Sequence, residues 1–361
     1  MRASKSDLPG LSVVITCFNL EHYIEDSLAS VLQQNYPGEH EIIIVDDCSS
    51  DRSVEIIKRI IARLGDDKHV TLICNEKNLG VAGATDVGWK AAKYEWILEV
   101  DGDDIQMHDR CSKTADLIMR HPQAGLIVMS HSLINAAGQE YGKRLFVKGG
   151  EDGEYVASAP EERVAIYMGC GIAHPVNRGA YGCSMCVSKK LIEKWGALSR
   201  ESTERFAQDP PWELRAFLSF PIVWSNQLAC KYRSHESNIL NKMREGKTVK
   251  DFIQNEMDAC EYAGKDFLAL EQMQRDLMRV KRDASLSDWG AADVENCLRE
   301  IQRYAYAAYE RHRWWSYSLF KRMYLSLRIA DKVPSEFKSW FKLRIVPCSV
   351  AMFFKWLKKK R

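Results

Sequence analysis

Short apolar runs alternate with helical stripes through the first 130 residues. Val13-Val14-Ile15-Thr16-Cys17-Phe18-Asn19 reads as a strand and its exit loop. Ile24, Leu28, Val31 and Leu32 then recur at helical spacing, before a turn at Pro37-Gly38. Residues 41–46 form a second run. Ser49-Ser50-Asp51 supplies an N-cap for a helix from Val54 to Leu64, whose apolar positions are Val54, Ile57, Ile60, Ile61 and Leu64. Val70-Thr71-Leu72-Ile73 reads as a third strand. Gly80 and Gly83 loosen a loop ahead of a helix through Trp89 to Ala92, and residues 96–101 form a fourth strand. A helix over about 109–120 and a strand at Gly125-Leu126-Ile127-Val128-Met129 follow. This βαβαβαβ order predicts an α/β fold with a mostly parallel sheet and helices on both faces. Residues 135–160, polar and Gly-rich, read as a loop or insertion. Beyond about 240 strand signals fade, and residues 250–330 read as helices.

Two of the apolar runs end in acids: Ile42-Ile43-Ile44-Val45-Asp46-Asp47 and Trp96-Ile97-Leu98-Glu99-Val100-Asp101-Gly102-Asp103-Asp104. Open α/β sheets bind ligands at the carboxyl ends of their strands. Crowded like charges repel unless a cation or hydrogen-bond donors hold them. A divalent metal bridging the phosphates of a nucleotide would do so.

The chain has 361 residues, 46% hydrophobic and 28% charged, enough for one large domain or two smaller ones. No signal-peptide pattern opens it, and no run reaches the roughly 18–20 apolar residues of a membrane span. The longest candidate, Ile345 to Phe354, contains Pro347. Eleven cysteines, an odd number, several of them in or beside strands, suggest reduced thiols and a cytoplasmic protein. Cys183-Ser184-Met185-Cys186 has CxxC spacing, but no second ligand pair stands at metal spacing and the run lies along a strand, so these read as buried cysteines. The net charge of +2 hides an asymmetry. Residues 311–361 hold 14 Lys/Arg against 2 Asp/Glu, a net of +12, which leaves −10 on the preceding residues. A basic tail on an acidic body implies an anionic partner.

Taken in order, Thr16-Cys17-Phe18-Asn19, Val45-Asp46-Asp47-Cys48-Ser49-Ser50-Asp51, Asn78-Leu79-Gly80 and Asp101-Gly102-Asp103-Asp104 resemble the GT-A fold, family 2 glycosyltransferases. Downstream, Tyr181 to Leu191 is similar to that family's strand before the acceptor helix. Gln208-Asp209-Pro210-Pro211-Trp212 resembles its ED-type block, and Tyr232-Arg233-Ser234-His235 its closing Tyr-Arg-x-His segment. The resemblance covers roughly residues 10–240. It implies a GT-A domain over 1–240 and a helical extension over 241–361.

What the resemblance implies is an inverting, metal-dependent sugar transfer from a nucleotide-diphosphate donor, UDP-sugar most commonly, to a glycan or lipid-linked glycan in cell-surface polysaccharide synthesis. Mn2+ or Mg2+ held by Asp103, with Asp101, would neutralise charge developing on the diphosphate. Asp47 would contact the base, and Thr16, Phe18 and Asp46 would line the nucleobase and ribose pocket. Asp104 shapes the turn or caps the next helix, and His235 is either a diphosphate or metal contact or a structural loop histidine. Asp209 would be the general base, a role compatible with N-capping the helix that starts at Pro210-Pro211. Partial burial beside Trp212 would raise its pKa.

Three features depart from the family pattern. Gln208 replaces a usual Glu, and Thr85-Asp86 replaces a usual Arg-Asn whose Arg meets the diphosphate, a loss for which Lys77 or Arg178 are the candidate substitutes. His174 reads as a loop residue. Phe353-Phe354-Lys355-Trp356-Leu357-Lys358-Lys359-Lys360-Arg361 suits either peripheral docking at the cytoplasmic face of a membrane or a helical appendage packed on the GT-A domain. The basic stretch has no accompanying nucleic-acid motif. The competing reading is a catalytically inactive GT-A module that binds nucleotide-sugar or a partner enzyme. Nucleotidyl transfer is disfavoured by the lack of a Gly-rich, Lys-containing phosphate loop near the N-terminus.

Overall fold

The computed structural model describes residues 7–64, 69–148, 150–168, 176, 182–198, 209–235, 268–313 and 332–333. Their elements run β1 (Leu11–Cys17), α1 (Ile24–Leu32), β2 (His40–Asp46), α2 (Ser53–Arg63), β3 (Val70–Cys74), α3 (Gly80–Ala91), β4 (Trp96–Asp101), β5 (Ile105–Gln106), α4 (Arg110–Arg120) and β6 (Leu126–Asn135). After these come β7 (Glu140–Arg144), β8 (Glu154–Ala157), α5 (Pro160–Met168), a 3-10 turn (Gly182–Ser184), β9 (Met185–Ser188), α6 (Lys189–Trp195), α7 (Asp209–Ser219) and β10 (Ile222–Ser234). A helix over 268–282 (α8) and α9 (Ala291–Arg313) complete the set.

The chain forms two units. One comprises Met1–Ser234 with Arg279–Gly290, and the other His235–Met278 with Ala291–Arg361. The first contains the sheet, in strand order β3-β2-β1-β4-β9-β6-β10-β5, with β7 on β6 and β8 on β10. The β3-β2-β1-β4 half is parallel. The antiparallel β9 then separates β4 from β6, and β10 runs parallel to β6.

Side-chain parity explains the layering, because alternate residues of a strand face opposite sides. Leu11, Val13 and Ile15 of β1, Ile42 and Ile44 of β2, and Trp96, Leu98 and Val100 of β4 share one buried cluster with Ile24 and Leu28 of α1, Ile57 of α2 and Leu117 of α4. The opposite face takes α3. A Cβ at Gly88 would stand 2.3 Å from Val14 Cγ1 and 3.1 Å from Val45 Cγ2, so glycine there lets the helix backbone lie directly on β1 and β2. This corrects the expectation of a loop through Gly80 and Gly83: the helix begins at Gly80.

Residues 135–160, expected to be a loop or insertion, carry β7 and β8 as antiparallel additions to the sheet. Asn226 anchors the segment between them. Its Oδ1 accepts from Ser130 Oγ at 3.0 Å, Phe146 N at 2.9 Å and Val147 N at 2.8 Å, and its Nδ2 donates to the Val147 carbonyl at 2.6 Å.

The segment 279–290 packs within the first unit. Arg163, buried in α5, donates to the carbonyls of Phe217 and Phe220 at 2.9 and 3.0 Å and pairs with Asp288. Trp289 Nε1 donates to the Phe217 carbonyl at 2.8 Å. In the second unit, Val294, Cys297, Leu298, Ile301, Ala305 and Ala308 form a buried stripe along α9 at helical spacing. Among the described residues no helix is long and apolar enough to cross a membrane. The basic tail beyond 333 lies outside the described residues.

His131 on β6 sits between the rings of Phe146 and Tyr232, and burial with nearby Arg144 pushes its pKa down to about 4. A free histidine titrates near 6.5. Between those values the unfolded chain binds the extra proton, so stability is complete above about 6.5 and falls as pH drops toward 4. The expected loss attributable to this group is about 3 kcal/mol across that window. Thermal unfolding followed from pH 7 to 4 checks it: His131→Gln should flatten the decline, and an unchanged slope would remove His131 as its source.

Candidate active site

The candidate residues meet where the parallel strands end. In the register of β1 with its neighbours, Thr16 pairs with Val45 and Asp101, and Cys17 with Asp46. Thr16, Phe18, Asp46, Asp47 and Asp101 are therefore brought to one edge of the sheet. Phe18, just past β1, is 44% exposed, an unusual setting for a large apolar ring.

Side chains lace the two loops at this edge. Asn19, at φ 54°, accepts through Oδ1 from Ser50 N at 2.8 Å, and its own N–H donates to Ser49 Oγ at 2.9 Å. Asp51 accepts from Glu21 N through Oδ2 and from Ser53 N through Oδ1, both at 2.9 Å. This corrects the expected N-cap: Arg52 holds the cap position of α2 and makes no side-chain cap bond, while Asp51, one residue before it, accepts from the first helical N–H.

The two adjacent acids have different roles. Asp47 Oδ1 accepts from Asn75 Nδ2 at 2.9 Å and Leu79 N at 2.8 Å, and its Oδ2 accepts from Gly80 N at 2.8 Å. Its negative charge therefore satisfies the orphan N–H groups that open α3, where the helix dipole favours an anion. Asp46 accepts from Ser49 N through Oδ2 at 2.9 Å, while its buried Oδ1 has no hydrogen-bond partner among the described residues.

The Asp101-Gly102-Asp103-Asp104 turn is fixed from both sides. Gly102 N donates to the Thr16 carbonyl at 3.0 Å, and a Cβ at Gly102 would lie 2.7 Å from that same oxygen, so no larger residue fits without moving β1. Arg233 of β10 donates through Nε to the Asp103 carbonyl at 2.8 Å and through its backbone N–H to Asp104 Oδ1 at 2.7 Å. It also reaches the Ala136 carbonyl at 3.0 Å and Asp26 at 3.3 Å, and lies over the Tyr23 ring. The arginine of the Tyr-Arg-x-His segment is thus a strut for the acidic turn, a role the sequence pattern did not reveal.

Electrostatics concentrate here. Burial pushes the Asp101 carboxyl well above the usual range, Asp103 and Glu99 add to it, and Arg110 opposes. Asp104 is pushed up by burial and then by Asp103, Cys230 and Asp101. Arg110, buried at the start of α4, ties the Glu99 and Met185 carbonyls at 2.9 and 3.0 Å. Asp209 opens the described part of α7. Burial raises its pKa most, and Glu99, Asp101 and Glu213 raise it further. The anticipated contribution of burial is present, and the larger surprise is the crowd of carboxylates around it. The Gly182 N–H favours the ionised form of Asp209 and the Cys183 N–H that of Asp101, so successive residues of one 3-10 turn act on both acids.

Glu99 is fully buried and accepts from Thr85 Oγ1 at 3.1 Å. Where the family pattern has an arginine, this chain thus has a hydroxyl bonded to a second carboxylate. Asp86 accepts from Leu198 N at 3.4 Å and so serves packing. Lys77 is exposed, while His174, Arg178 and Gln208 lie outside the described residues. His235 is buried directly after β10. A separate open cleft of about 370 Å3, beside Lys113, Lys143 and Gln227, is lined by none of the candidate residues.

A sheet whose carboxyl edge gathers an Asp-x-Asp turn and a further buried aspartate has the plan of the GT-A glycosyltransferases. Among solved structures, TarS of S. aureus, residues 1–349 in complex with UDP-GlcNAc, superposes with a TM-score of 0.52 at 17% identity, covering 95% of this chain and 88% of that one, a likeness of fold. Residues 12–181 match the model of glycosyl transferase family 2. Poly-beta-1,6-N-acetyl-D-glucosamine synthase of Staphylococcus epidermidis is 33% identical over 127 residues, 35% of this chain and 30% of that protein. The uncharacterized glycosyltransferase EpsJ of Bacillus subtilis is 29% identical over 213 residues, 58% of this chain and 56% of that protein. The chain spans little more than half the length, or less, of the curated relatives it matches.

The assignment of Asp47 to the helix carries a direct expectation. Asp47→Ala leaves the Leu79 N–H without its acceptor and the Gly80 N–H with Asn78 Oδ1 alone, at 3.0 Å, and should destabilise the first unit by roughly 1–2 kcal/mol. Amide hydrogen exchange at Leu79 and Gly80 should accelerate in that variant and stay near wild type in Asp46→Ala. Equal exchange in both variants would contradict the division of roles.

Proposed function

We propose that this chain is a divalent-cation-dependent, inverting glycosyltransferase using a nucleoside-diphosphate sugar, of which a UDP-sugar fits the TarS likeness best. Its acceptor would be a glycan or lipid-linked glycan in cell-surface polysaccharide synthesis, in keeping with the relatives' names. The observation that carries the reading is the gathering of acids at the carboxyl edge, where Thr16 of β1 pairs with Asp101 of β4 and the candidate metal acid Asp101 raises the pKa of the candidate base Asp209.

The residues fit a cation. Asp101 and Asp103 crowd at one turn, where Asp103 raises the pKa of the Asp101 carboxyl, a like-charge repulsion that a cation would relieve. Hard carboxylate oxygens suit Mg2+ or Mn2+. When bound through Asp103 and Asp101, such a cation neutralises the charge that develops on the departing diphosphate.

The rest of the work falls to the chain. Phe18 stacks on the nucleobase. Asp46 Oδ1 and Thr16 take polar contacts with base or ribose, and Asp47 keeps the pocket wall in place through α3. Asp209 accepts the proton of the acceptor hydroxyl as that oxygen forms a bond to the anomeric carbon. The carbon–oxygen bond to the diphosphate breaks on the opposite face, so the configuration inverts. The raised pKa of Asp209 makes it a better proton acceptor than a free aspartate. The tail over 311–361 has the composition for docking at an anionic cytoplasmic membrane face, near a lipid-linked acceptor.

Asp209→Asn is the test. Release of nucleoside diphosphate and transfer should fall by roughly 10³-fold while nucleotide affinity stays within about twofold. Asp103→Ala should lose the cation-dependent part of nucleotide binding. Equal loss of binding and turnover in Asp209→Asn would reject the base assignment. Wild-type binding without any turnover would favour an inactive nucleotide-sugar-binding module, the reading kept open by Thr85 in the place of the family arginine.

A further inference from the structure

Behind the acidic turn lies a second group of ligand-type side chains of different chemistry. Asp104, Cys183 and Cys230 each offer a ligand atom, and these atoms lie within 4.8 Å of one another. All three residues are fully buried. They come from three separated segments: the turn after β4, the 3-10 turn before β9, and β10.

The carboxylate is set for the purpose. Asp104 Oδ1 is held by the Arg233 N–H at 2.7 Å, which fixes the plane of the group. Its Oδ2 is buried and has no hydrogen-bond partner among the described residues. A buried polar atom left in this state is costly and asks for an explanation.

We propose that Asp104, Cys183 and Cys230 form a binding site for a soft divalent cation of the zinc class, distinct from the Asp101–Asp103 pair. Sulfur ligands select zinc or cadmium, whereas the oxygen pair next door suits magnesium or manganese. With Zn–S near 2.3 Å, the ligand atoms around a tetrahedral zinc stand about 3.5–4 Å apart, so the present spacing, within 4.8 Å, contracts by at most about 1.3 Å on binding. Binding replaces the two thiol protons, which leave to solvent, and forms two metal–sulfur bonds and one metal–oxygen bond. Three protein ligands leave a fourth position for water or a neighbouring oxygen.

The consequence is mechanical. The cation would cross-link the Asp101–Asp104 turn, the Gly182–Ser184 turn and β10. The Cys183 N–H already favours the ionised form of Asp101, so occupancy stiffens the frame on which the donor acids are mounted.

The experiment uses the full chain, reduced and stripped of metal, titrated with Cd2+ alone. A cadmium–thiolate charge-transfer band should grow to a single equivalent per chain, persist in excess Mg2+, and be displaced by Zn2+. It should vanish in Cys183→Ser and Cys230→Ser, weaken in Asp104→Asn, and survive in Asp103→Ala and in a Cys48→Ser/Cys74→Ser double variant that removes exposed thiols. On the wild type, where no variant has to fold, Zn2+ should protect Cys183 and Cys230 from alkylation during partial unfolding. No thiolate band, a band unchanged in the Cys183 and Cys230 variants, or protection confined to other cysteines would each overturn the proposal. None of these readouts depends on sugar transfer, so they stand or fall separately from the proposed activity.

Discussion

Carboxylates forced together at the carboxyl edge of the sheet are the constraint on which the site depends. Burial, Asp103 and Glu99 push up the pKa of Asp101; burial, Asp103, Cys230 and Asp101 push up that of Asp104; and burial, Glu99, Asp101 and Glu213 push up that of Asp209. In water such charges would be screened, but in the interior each makes the next harder to ionise. The surrounding structure is arranged to tolerate them. Arg110 lies beneath, Arg233 braces the turn from β10, and N–H groups of the Gly182–Ser184 turn favour the ionised forms of two of the acids. A cation and a diphosphate arriving together would complete this balance.

Much of this frame was legible in the sequence, because it rests on periodicity and on local turn chemistry. The apolar runs ending at Asp46 and Asp101 are β2 and β4, and α1 occupies Ile24–Leu32 as its stripe indicated. What escaped did so for physical reasons. Gly80, Gly83 and Gly88 weaken the helical signal of α3, yet its close seat on Val14 and Val45 requires a side chain no larger than glycine at 88. β10 is obscured at Ser225-Asn226-Gln227, where its register with β6 shifts and alternation is lost. β7 is a polar edge strand whose sequence carries almost no apolar pattern.

The chemistry of the site was legible by residue type and less so by role. Asp46 and Asp47 are adjacent in sequence, and only the fold separates an acid committed to a helix terminus from one with a buried oxygen to spare. Glu99 looked like one more residue of a buried strand, yet Thr85 and Asp209 give it a place in the site. Cys183 and Cys230 are 47 positions apart, and their meeting beside Asp104 follows from the crossing of the 3-10 turn with β10 and from no spacing in the chain.

The claim at the centre is that the acid cluster is a cation-dependent site for a nucleoside diphosphate. It is tested most directly by thermal stability of the wild-type chain with UDP, GDP or dTDP, each with and without Mn2+. A nucleotide at 100 times its dissociation constant stabilises the fold by about 2.7 kcal/mol. The expected result is a rise in melting temperature with UDP and Mn2+ together that neither gives alone. An equal rise with UDP in the absence of any divalent cation, or no rise with any nucleotide, would contradict it.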